Sequence, residues 1–241
     1  MLYVLLFGLV VNATTMTVPN IPAAPRVNIV SMYNIETIKV DGANVIFFNA
    51  QVNDSTIDAA VFSLMAIRSN DPIYFIINSP GGSVLSAGRL ISYIKYSGKN
   101  IVTVCDNFCA SMGFQIFQVG SRRLVTPKAM LMTHPSYGGA ASPITENQSE
   151  ESKAIKLYMD RLDADTAIRS KIPYERFKFM TLNNIWAETP EALALHLADG
   201  VVKFEYYGDP ITIIYDEPQE TKAAKSYRDY MFLKTFKFEY K

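Results

Sequence analysis

An α/β domain with a mainly parallel sheet is the fold class the sequence predicts, and three observations carry it. Strand-like and helix-like runs alternate four times along the chain, the pattern of parallel strands joined by right-handed crossovers. The strand runs are unbroken apolar stretches, as in strands covered on both faces. The 241 residues, 49% hydrophobic and 19% charged, are enough to bury a sizeable core and exclude a disordered or disulfide-scaffold chain.

The first buried strand spans 45–48, β-branched and aromatic. A helix follows over 55–69, apolar at Ile57, Val61, Leu64 and Met65, with Ser55-x-x-Asp58 as its capping signal. The pattern repeats with a strand at 73–77 and a helix at 84–96, then a strand at 101–104 and a short helix at 112–119. Residues 129–132 return as strand. A longer charged helix over 147–169 is apolar at Ile155, Tyr158, Leu162 and Ala167. Thr189 then caps a helix with Pro190 at its first position, Asp199-Gly200 stops it, and 201–204 form a strand. The last forty residues, rich in Tyr, Phe and Lys, offer only a strand at 211–215 and a helix at 221–233.

Lys+Arg and Asp+Glu both number 23, for zero net charge and a pI near 6.7. A globally basic nucleic-acid binder is therefore disfavoured, while the mean hydropathy of +0.08 hints at buried subunit surfaces. Cys105 and Cys109 are the two cysteines. Four residues apart in one segment, they make a poor disulfide framework and favour a reducing compartment. Beside His134 and His196 they also give little metal-ligand spacing, so no metal is expected. Residues 2–11 are an apolar run too short to span a bilayer. Val11-Asn12-Ala13 suits a signal peptidase, but no Lys or Arg precedes the run. A buried terminal strand, or a start placed upstream of the true one at Met16, is the preferred reading over export. Residues 17–28 read as a Pro-rich extended arm.

Three turns at strand ends could carry chemistry, because α/β folds place their sites there. Asn78-Ser79-Pro80-Gly81-Gly82-Ser83 joins a strand to a helix, and its paired glycines suit an anion or oxyanion pocket as well as a plain turn. It lacks the Lys-Ser/Thr of a P-loop. Cys109-Ala110-Ser111-Met112-Gly113 presents a serine at a helix N-terminus, where a nucleophile and an ordinary N-cap are the competing readings. Thr133-His134-Pro135 places an imidazole at a strand end, the usual base for a serine. His196, inside the helix of 191–198, is explained by dipole compensation or a solvated face.

Taken in order, Ile77-Asn78-Ser79-Pro80-Gly81-Gly82-Ser83-Val84, Cys105, Ala110-Ser111-Met112-Gly113, Met132-Thr133-His134, Pro190-Glu191-Ala192 and Leu197-Ala198-Asp199-Gly200 resemble the ClpP family of serine peptidases. The resemblance covers 33–204, with residues 1–32 as an N-terminal apolar run and arm and 205–241 as a C-terminal extension. It implies a ClpP/crotonase-like fold of repeated β-β-α units, in which the long helix protrudes as an inter-ring handle. Ser111 would be the nucleophile, His134 the general base, and Gly82 and Met112 the oxyanion donors. No cofactor is implied. The implied partners are unfolded polypeptides, further copies in stacked, usually heptameric rings, and a separate AAA+ unfoldase. Neither nucleic acid nor stable membrane insertion is expected, and the location implied is cytoplasmic.

Two positions depart from the family. Its third triad residue, normally Asp, falls on Asn184, beside Asn183. An Asn carbonyl can orient an imidazole but cannot offset its positive charge, and the same exchange in a Ser-His-Asp protease lowers turnover roughly 10⁴-fold. Glu188 is the nearest carboxylate that could substitute. His134-Pro135 also lacks the residue that the family usually places between His and Pro. A serine endopeptidase subunit is the leading reading, and a weakened or non-catalytic ring subunit is the alternative. A crotonase-type or Lys-based enzyme on the same fold comes last, because no lysine stands at position 134.

Overall fold

A computed structural model describes residues 34–136, 149–208 and 211–216. The expected N-terminal strand and arm, the first residues of the long helix and the 221–233 helix lie outside them. Among these residues nine strands form one sheet, seven of them in the order β1 (Ile35–Val40), β8 (Gly200–Tyr206), β5 (Arg123–Val125), β4 (Ile101–Ala110), β3 (Ile73–Ser79), β2 (Val45–Asn49) and β9 (Thr212–Tyr215). Every pair on that path is parallel. Off it, β6 (Met130–Thr133) pairs parallel with the end of β4, and β7 (Ile185–Glu188) pairs antiparallel with β6. The α/β class with crossover helices is as the sequence predicts. The three-residue β5, the outer β1, β7 and the helix before β7 are additions to it.

Both faces of the central strands are covered, which is why their runs do not alternate. Phe75 and Ile77 of β3 enter the larger core with Leu64, Leu90, Phe114 and Phe177. Ile76 enters a smaller core on the other face with Val40, Val102 and Leu124. The larger core is roofed by α1 (Asp54–Ala66), α2 (Val84–Tyr96), α3 (Met112–Gln118), α4 (Glu150–Arg169) and α5 (Tyr174–Leu182), with α6 (Thr189–Ala194) closing the end. No helix among the described residues is long and apolar enough to cross a membrane.

Three local readings are corrected. Helix α1 is capped by Asn53, whose side chain accepts from the Thr56 N–H while Thr56 Oγ1 accepts from Asn53, so Ser55 already lies inside it. Glu188 rather than Thr189 is the N-cap of α6, because the Thr189 hydroxyl turns inward onto the Thr126 carbonyl. His196 lies past α6, exposed and with φ of +50°. The Leu197 N–H bonding back to Ala192 and the His196 N–H to Leu193 end that helix in a left-handed cap.

The cysteines give a fourth correction. Strand β4 places three residues between Cys105 and Cys109 where β3 places one between Ile77 and Ser79. The resulting bulge draws the two Cα atoms to 5.9 Å, where a regular strand would hold them ~13 Å apart. Cys105 and Cys109 pair there as a disulfide. Their spacing therefore does not argue for a reducing compartment.

A half-buried ion pair ties β5 to the turn before β8. Arg123, only 2% exposed, meets Asp199 at 2.6 Å, and its backbone N–H reaches the same carboxylate at 2.8 Å. Burial pushes the Asp199 carboxyl up, but the Arg123 hydrogen bonds and charge pull it down further, below its ordinary value.

Candidate active site

Two strand-to-helix turns meet at the ends of β3 and β4, and neither has room to spare. Gly81 and Gly82 have φ of +93° and +144°, a region open to glycine at little steric cost. A Cβ on Gly81 would stand 2.6 Å from the Ser111 Cβ, and one on Gly82 would stand 2.2 Å from the Val52 carbonyl oxygen. Val52 holds the turn from the other side. Its N–H donates to the Gly81 carbonyl and its carbonyl accepts from the Ser83 N–H, both at 2.8 Å. The Gly81 N–H donates to Ser79 Oγ at 3.2 Å. Among the described residues the Gly82 N–H has no acceptor, and the Met112 N–H, at the first position of α3, has none within its helix.

Ser111 occupies the N-cap position of α3 without acting as a cap. Its φ and ψ are 53° and −121°, and its hydroxyl makes no capping bond. A positive φ on a non-glycine residue is uncommon and stores backbone strain. The hydroxyl here is half-buried and leaves the helix end without a side-chain cap. The competing N-cap reading of Ser111 is thereby removed.

Strand β6 delivers His134. The Ser111 N–H donates to the Met132 carbonyl at 2.8 Å, two residues before the imidazole. Ser111, Met112, Gly82 and His134 line one cavity of about 210 Å³, together with Val84, Thr133, Ser136 and Met159. Four of the five residues singled out in the sequence thus share one pocket. The His134 Nδ1 lies 2.6 Å from the Pro135 carbonyl oxygen. A carbonyl accepts only, so in that contact Nδ1 carries the proton.

Asn184 is the fifth, and it does not line that cavity. The β6–β7 register pairs Thr133 with Ile185, so Asn184 comes one step beyond, level with His134. It is exposed, has φ of +56°, and follows the last turn of α5, its N–H bonded to the Thr181 carbonyl. Asn is among the residues that best tolerate that helix-ending conformation. Its side chain makes no hydrogen bond among the described residues. Glu188 fares worse as a substitute carboxylate, since it pairs with Met130 at the far end of β7.

Sequence reasoning missed two contributors. Val52 clamps the glycine turn through its backbone, which no residue type signals. Asp163 of α4, one turn past the cavity-lining Met159, is buried and accepts from Gln115 of α3 at 2.9 Å. Burial pushes its carboxyl up to about 6, against the lowering pull of the Gln115 hydrogen bond. A buried acid in a charged helix was not legible from its spacing.

Comparison with known proteins agrees with this architecture. The family model described as Clp protease matches residues 32–205. The ATP-dependent Clp protease proteolytic subunit 3 of Synechococcus sp. (strain CC9902) is 29% identical over 163 residues, covering 66% of this chain and 82% of that protein. The proteolytic subunit 2 of Prochlorococcus marinus (strain NATL2A) is 28% identical over 169 residues, covering 68% and 84%. Among solved structures, an asparagine-to-aspartate mutant of ClpP1 from Listeria monocytogenes superposes with a TM-score of 0.58 at 22% identity, covering 68% of this chain and 92% of that one. That likeness is one of fold, the ClpP/crotonase-like arrangement expected from the motifs. With a matching family model over most of its length, the chain belongs to the Clp protease family.

Proposed function

We propose that this chain is a serine endopeptidase subunit of a ring protease, with Ser111 as nucleophile and His134 as general base. One observation carries the reading: an uncapped serine hydroxyl at a strained helix entrance shares a cavity with the imidazole at the end of the neighbouring strand. In the reaction, Ser111 Oγ attacks the scissile carbonyl carbon as its proton passes to His134 Nε2. Charge developing on the carbonyl oxygen is taken up by the Gly82 and Met112 N–H groups. The imidazolium then gives its proton to the leaving amine, and water repeats the sequence to release the acyl group. The Pro135 carbonyl keeps the proton on Nδ1, leaving the Nε2 lone pair for the serine.

The assembly belongs to the same proposal. Residues 33–204 are its peptidase domain, α4 the handle between stacked heptameric rings, and unfolded polypeptides delivered by an AAA+ unfoldase its substrates. Its location is cytoplasmic. The support for these finer points is the family and the absence of any Walker motif in the sequence. A second reading, a ring subunit with weak or no hydrolysis, rests on Asn184 alone, whose neutral side chain offers an imidazolium no counter-charge. A fluorophosphonate probe separates the two. On the serine-peptidase reading it labels Ser111 of the purified protein, and Ser111→Ala abolishes labelling while native mass is unchanged. Wild-type protein that neither labels nor cleaves a peptide favours the second.

A further inference from the structure

Strand β9 lies beyond residue 205, where the family match ends, yet it pairs with β2 over four rungs, Ile46↔Thr212 to Asn49↔Tyr215. Its Ile214 is buried in the larger core. One residue past the last rung, the Asp216 carboxylate takes the Gln51 N–H on both oxygens, at 2.8 and 2.9 Å. Charge-assisted bonds to a backbone N–H are the stronger kind. The Gln51 carbonyl is also fixed, accepting from Thr56 Oγ1 at 2.6 Å. The next residue, Val52, is the one that grips the Gly81–Gly82 turn by two backbone hydrogen bonds. Beyond Gln51 the turn is closely packed, since a Cβ added at Gly82 would stand 2.2 Å from the Val52 carbonyl oxygen and one at Gly81 2.6 Å from the Ser111 Cβ. Val52 thus joins Gln51 to the turn that carries the Gly82 N–H, through hydrogen bonds to the residues on either side of it.

We propose that the C-terminal strand, through Asp216, positions the Gly82 oxyanion donor by fixing Gln51 and Val52. The inference rests on the serine-peptidase reading, and Asp216 acts through Val52 without touching substrate. Both Asp216 and Gln51 are exposed, so water can replace the lost bonds when the carboxylate is removed. Global stability then changes little, and the effect appears in the transition state, where donor placement counts most.

The test uses the full-length chain as Asp216→Ala and Asp216→Asn, the latter keeping one acceptor oxygen. Fluorophosphonate labelling rate, kcat and KM for a short peptide, and Tm are measured for each. In Asp216→Ala the labelling rate and kcat should fall about fivefold with KM within about twofold, a fraction of the ~10²-fold loss when an oxyanion donor is deleted. Asp216→Asn should fall between Asp216→Ala and wild type. If wild type labels and both variants label at its rate per folded site, the proposal is wrong and the Ser111 reading stands. The proposal is equally wrong if the variants lose Tm but keep kcat per titrated site. If wild type fails to label, the Ser111 reading falls and the proposal falls with it.

Discussion

At Gly81 a single added carbon would lie 2.6 Å from the Ser111 Cβ, whereas at Asn184 a whole side chain stands exposed and makes no hydrogen bond among the described residues. Both regions flank His134, but they are fixed by different means. The glycine turn is set by packing: Val52 on one side, Ser111 on the other, backbone hydrogen bonds throughout. The Asn184 turn is set by strand register and a helix ending, with nothing pressing on its side chain. Where packing sets a position, substitution disturbs the structure. Where register sets it, exchanging the amide for an acid changes charge alone.

The strongest way to break this contrast is Gly81→Ala. The new methyl group meets backbone and Ser111, and φ of +93° strains any Cβ-bearing residue there. Loss of labelling should exceed about 10²-fold, as when a reacting group is displaced by an ångström. A variant that folds and labels normally would show that the turn has more room than its contacts imply.

Asn184 should behave oppositely. Removing its side chain in Asn184→Ala should change kcat by less than about threefold, since the Pro135 carbonyl already holds Nδ1. Asn184→Asp should raise kcat about tenfold or more, because a carboxylate level with His134 favours the imidazolium formed in the transition state. Aspartate, like asparagine, tolerates the left-handed conformation, so Tm should hardly move. Peptide hydrolysis against pH for the three proteins decides the matter. A large loss in the alanine variant would mean the amide orients His134 after all.

The smallest effect concerns a buried acid in α4, away from the cavity lining. Folding holds the Asp163 carboxyl up near pH 6 by burial, above an unfolded value near 4. The folded state therefore binds the extra proton between those values. Asp163 adds stability that is full below about pH 4 and lost as pH rises through about 6. Asp163→Asn should flatten that window and raise stability at pH 7 on the order of 2 kcal/mol, read from urea unfolding at pH 5 and pH 7. Gln115 Oε1, buried with no partner, also gains a neighbouring donor. Equal pH slopes in both proteins would place the charge elsewhere.

Much of the fold was legible because its signals are local. Paired glycines after an apolar run announce a tight crossover whatever lies around them, and a serine between a strand and a helix marks the second turn in the same way. What escaped depends on distant partners. Arg123 sits in a buried strand only because Asp199 reaches it from 76 residues away, and no composition rule expects an arginine there. Helix α5 buries only Phe177 and Thr181, too narrow a stripe to read as periodicity. The family's triad pattern points to Asn184, but no spacing in the sequence shows that its side chain is exposed. The disulfide needed a bulge that only the β3–β4 register reveals.

The antiparallel union of β6 and β7, alone of its kind in this sheet among the described residues, has an evolutionary corollary. A lineage could retune the speed of such a protein by trading one amide for one acid at the tip of β7, leaving every interior contact as inherited. Drift toward a sluggish paralogue, and recovery from it, would then be a single codon apart.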